Sequence, residues 1–88
     1  MRIVQFRKHL DMFVVRVTDA QDIAILSANP QFKLLLRVEE ETVSGPRILS
    51  VEYIGITDHG VAFEQWSKDV WRLIGIRNEA LKSRRQPK

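Results

Sequence analysis

Residues 32–54 run Phe32-Lys33-Leu34-Leu35-Leu36-Arg37-Val38-Glu39-Glu40-Glu41-Thr42-Val43-Ser44-Gly45-Pro46-Arg47-Ile48-Leu49-Ser50-Val51-Glu52-Tyr53-Ile54. Two apolar runs flank Val43-Ser44-Gly45-Pro46, a turn signal carrying glycine and proline. The pattern predicts a hairpin, and it is the most secure supersecondary unit in the chain. Leu34, Leu35 and Leu36 do not alternate with polar residues. A strand of that kind is expected to be covered on both faces, so residues 32–38 are predicted to be a central strand. Glu39, Glu40 and Glu41 extend it into solvent.

Upstream, residues 2–8 and 12–17 are rich in β-branched and aromatic side chains and predict two more strands. The short His9-Leu10-Asp11 connection suits a hairpin. Either strand could form an open sheet edge, with Arg2, Arg7 and Lys8 as charged guards against pairing. Between the two hairpins, Thr18-Asp19-Ala20-Gln21 predicts a helix start, with Thr18 and Gln21 as a capping box. Asp19 and Asp22 suit the positive end of the helix dipole. Asn29-Pro30 ends that helix.

Downstream, Thr57 and Asp58 can cap a longer helix. Phe63, Trp66, Val70, Leu73, Ile74 and Leu81 fall on one side of it at about 100° per residue. Gly75 weakens its middle, and Arg77 interrupts the stripe. A rival reading turns Asp58-His59-Gly60 into a loop and makes residues 61–65 a strand. The order is β-β-α-β-β-α. It predicts a small α+β domain with a mainly antiparallel four-stranded sheet. A short helix and a longer amphipathic C-terminal helix pack on one face. Residues 1–82 form that single domain, and residues 83–88 a basic tail.

The chain has 88 residues and no cysteine. Disulfides and thiolate chemistry are excluded, and a reducing, cytoplasmic setting is expected. No segment approaches the ~20 apolar residues of a membrane helix, so no membrane partner is expected. Half of the 14 basic residues lie from Lys68 onward, opposed there by Asp69 and Glu79 alone. Most of the acids lie in the middle of the chain.

No pattern carries catalysis. His9, His59, Asp58 and Glu64 match no metal-ligand spacing. The serines have neither a nucleophile-elbow setting nor a histidine at motif spacing. Gly55 to Gly60 lacks the Lys-Ser/Thr of a phosphate loop. Glu39–Glu41 sit at a strand end where nothing implies the burial a general acid needs. No cofactor is expected, and an enzyme would need a site assembled at a dimer interface.

Two surfaces remain. Trp66 and Trp71 lie about 140° apart on one helix, and a single small sheet cannot easily bury both. One exposed tryptophan beside Arg72 would resemble a binding hot spot. Trp66, Trp71 and Arg72 are therefore the candidate protein-binding residues, for another protein or a second copy. The alternative is nucleic acid, contacted at phosphates by Lys68, Lys82, Arg84, Arg85 and Lys88. Phe6, Phe13, Phe32 and Tyr53 are expected in the core rather than stacked on bases. The expectation is a non-catalytic regulatory or adaptor protein that works by surface contact.

Overall fold

The computed structural model describes the backbone of residues 2–56 and 60–85, with side chains as far as Gly75. The elements follow the expected order: β1 (Val4–His9), β2 (Met12–Val17), α1 (Ala20–Ala28), β3 (Phe32–Thr42), β4 (Gly45–Gly55) and α2 (Phe63–Arg85). Four strands form one antiparallel sheet in the order β1-β2-β4-β3. The helices cover one face of it.

β2 and β4 are the interior pair. Phe13 to Val17 oppose Gly55 to Val51, and this register places Val15, Val17, Val51 and Tyr53 on the helix side. Leu26 and Ile25 of α1 and Trp66, Val70 and Ile74 of α2 close over them. The stripe read from Phe63 onward is thus the buried face of α2. Its first helical hydrogen bond runs from the Trp66 N–H to the Ala62 carbonyl, so residues 63–65 are helix and the strand alternative fails. The proposed caps Thr57 and Asp58 lie outside the described residues. Gly75 is accommodated without ending the helix, which continues to Arg85 and so includes the first residues of the expected tail.

Two other expectations change. The N-cap of α1 is Asp19, not Thr18: its carboxylate accepts from the backbone N–H groups of Gln21 and Asp22. The Thr18 hydroxyl instead accepts from the Ile3 N–H at 2.9 Å, tying the chain start to the sheet. Asp22 lies in the first turn of α1, as expected. It is fully buried, and Arg2 holds both carboxylate oxygens at 2.8 and 3.0 Å. A buried carboxylate is tolerable only with such a partner. Finally, β3 is an edge strand and β2 an interior one. The leucine run is therefore not covered on both sides, and of the two N-terminal strands only β1 is an edge.

Candidate interaction surface

The two tryptophans have different fates. Trp66 is 5% exposed and belongs to the core. Phe6 meets its ring edge-on at 5.7 Å, Phe13 lies at 5.5 Å and Phe63 stacks at 6.2 Å. Gly55 makes room for it, since a Cβ there would fall onto the indole. Trp66 is thus a packing residue and leaves the candidate binding set. Trp71 is 45% exposed, as one of the pair had to be. It lies at the rim of the core, 6.2 Å from Phe6, with the Arg2 guanidinium 5.5 Å from its ring. The same guanidinium holds Asp22, so Trp71 rests on a group already fixed in place. Arg72 and Lys68 are exposed one turn apart on α2. The side chains of Lys82, Arg84 and Arg85, and all of Lys88, lie outside the described residues.

The sheet face away from the helices carries a second surface. The register puts Gln5, Arg16, Glu52 and Leu36 in one cross-strand row, and Arg7, Val14, Ile54 and Lys33 in the next. Arg7 pairs with Glu52 at 3.1 Å, and Arg16 donates to Gln5 at 3.4 Å. Val14 is 1% exposed although no helix packs on this face. Beside it an open depression of about 400 Å³ is lined by Arg7, His9, Met12, Val14, Leu35, Leu36 and Glu52.

That depression borders the edge strand, where exposed apolar side chains concentrate. Leu34 is 57% and Leu36 51% exposed, and Leu35 and Val38 are exposed as well. Leu35 is the extra residue of a bulge between Leu34 and Leu36. Past it, the Arg37 guanidinium meets the Glu39 carboxylate at 2.6 Å on the helix side of the sheet. Glu40 and Glu41 are exposed and continue the strand toward the turn. Glu39, Glu40 and Glu41 line none of these depressions. Reading the leucine run by apolarity alone misses this surface. The signal that could have found it was Lys33 and Arg37 within the strand and three glutamates behind them, because charges along a strand mark an edge.

Another cavity, of about 550 Å³, opens between the α1–β3 turn and α2, with Asn29, Gln31 and Asp69 among Phe32, Trp66 and Leu73. Among the described residues, no group of three or more His, Asp or Glu is placed to hold a metal, and no helix is long and apolar enough to cross a membrane. No protein-family model, no curated protein and no solved structure matches this chain.

Proposed function

We propose that this protein is a non-catalytic regulatory or adaptor module that acts by binding protein, with the β3 edge as its principal contact surface. One observation carries the reading. The leucine-rich strand β3 leaves Leu34, Leu35 and Leu36 exposed, while the core is built from β2, β4 and the helices. Fully burying a leucine gains about 1.5–3 kcal/mol, so a partner that covers the exposed half of Leu36, beside Val38 on the same face, collects part of a gain that folding left unused. An edge strand also offers a row of backbone donors and acceptors to an added strand. Trp71 on Arg2 supplies a second, smaller anchor. A cytoplasmic setting goes with the proposal, since a cysteine-free chain draws nothing from an oxidising compartment.

The test compares the wild-type chain with Leu36→Lys as immobilised baits in an extract of the native host. Leu36 is exposed, so the variant should melt within a few degrees of wild type. The reading expects proteins held by wild type to be lost with Leu36→Lys. An identical set on both baits contradicts it. Nucleic-acid binding is the second reading, favoured by the exposed Lys68 and Arg72 on α2. It expects DNA or RNA affinity that falls steeply with salt and drops again in a Lys68→Ala/Arg72→Ala variant.

A further inference from the structure

We propose that β3 pairs antiparallel with β3 of a second copy of this chain, about a two-fold axis at Val38. The proposal rests on β3 being the contact surface and adds its occupant. The strand is charge-asymmetric along its length. Lys33 and Arg37 occupy its first part and Glu39, Glu40 and Glu41 its last. A parallel copy would set like charges side by side. An antiparallel copy sets opposite charges side by side.

The irregularities select the register. The bulge at Leu35 breaks the even ladder, so regular pairing begins at Leu36. The second irregularity, between Val38 and Glu39, is taken up on the β4 side, where Leu49 is the residue passed over. Residues 36–42 therefore form the uninterrupted part of β3. An axis at Val38 sets each Arg37 opposite the other copy's Glu39, and Val38 opposite Val38. Arg37 already holds Glu39 of its own chain. Two such pairs side by side make a square in which each charge has opposite neighbours. On the other face, Leu36 of one copy lies opposite Glu40 of the next and diagonal to its Val38, close enough to Val38 for contact.

The other edge has no such symmetry. β1 carries Arg7, Lys8 and His9 and no acid. No antiparallel register of it sets opposite charges side by side, whereas β3 offers Arg37 to Glu39.

The experiment is sedimentation across a concentration series with four chains. Wild type is expected to move from monomer to dimer. Arg37→Glu and Glu39→Arg, each alone, should weaken self-association at least about tenfold, because like charges then face each other. An equimolar mixture of these two variants should recover it, since an all-acidic face meets an all-basic one. The double exchange Arg37→Glu/Glu39→Arg should dimerise alone, which guards against a variant that merely misfolds. A wild type that stays monomeric throughout overturns the proposal, as do single variants that dimerise like wild type. If wild type is monomeric yet loses protein partners with Leu36→Lys, self-pairing fails and the protein-binding reading stands. If neither effect is seen, both fail.

Discussion

β2 and β3 are built from similar residues and meet opposite fates. Met12-Phe13-Val14-Val15-Arg16-Val17 and Lys33-Leu34-Leu35-Leu36-Arg37-Val38 each hold five or four apolar side chains around an arginine. In β2, Val14, Val15 and Val17 are all buried. In β3, every residue after Phe32 is exposed. Local propensity makes both of them strands, but burial is set by neighbours. β2 lies between β1 and β4 under the Trp66 cluster, whereas β3 pairs with β4 alone and extends past the end of β2. Interior apolarity stabilises the fold. Edge apolarity contributes little to it and is free to serve contact.

The largest effect should come from the group that roofs β2. Trp66→Ala is expected to cost about 3–5 kcal/mol in urea unfolding, as for other buried aromatic truncations. Gly55→Val should be destabilising through the same ring, which has no room for the added carbons. Next comes the tie between chain start and α1. Asp22→Ala should cost roughly 2–3 kcal/mol, because charge-assisted hydrogen bonds to Arg2 are lost. Trp71 fluorescence should also shift, since Arg2 would no longer be held over its ring.

The comparison itself is sharpened by paired truncations. Val15→Ala should cost about 2 kcal/mol, from about 0.8 kcal/mol per buried carbon and a cavity term. Leu36→Ala removes more carbon yet should stay within about 0.5 kcal/mol in the monomer, as exposed positions do. Equal costs would break the distinction between the strands. The smallest effect concerns their turns. Gly45 takes a φ of 114° in the β3–β4 hairpin, where glycine is unstrained, but Leu10 takes 56° between β1 and β2. Leu10→Asn should raise stability by less than about 1 kcal/mol, as asparagine tolerates the left-handed region better. A lower melting temperature would contradict this.

Much of the fold was legible because its signals are local. β-branched runs marked β1 and β2, Gly45-Pro46 marked the turn, and the spacing of Trp66, Val70, Leu73 and Ile74 marked the buried face of α2. What local signals miss is non-local. Thr18 and Asp19 can each cap α1, and the Ile3 N–H decides by engaging Thr18. Asp22 suits a helix dipole equally well whether or not Arg2 reaches it from across the sequence. Strand apolarity reports a tendency to be buried and says nothing of sheet order, so the Leu34–Leu36 run reads as central while the fold puts it at an edge. Of the candidate site, the helical spacing shows that one of Trp66 and Trp71 is left uncovered, and the packing of Phe6, Phe13 and Phe63 on Trp66 decides which. The β3 edge was not legible, because its exposure follows from where the chain places its fourth strand.

The most direct measurement is amide hydrogen exchange in dilute and concentrated samples. If β3 is a contact edge that pairs with itself, residues 36–40 should exchange more slowly at high concentration, while β1 amides, on the other edge, keep their dilute rates. Rates for residues 36–40 that do not change with concentration, or slowing on β1 instead, would contradict it.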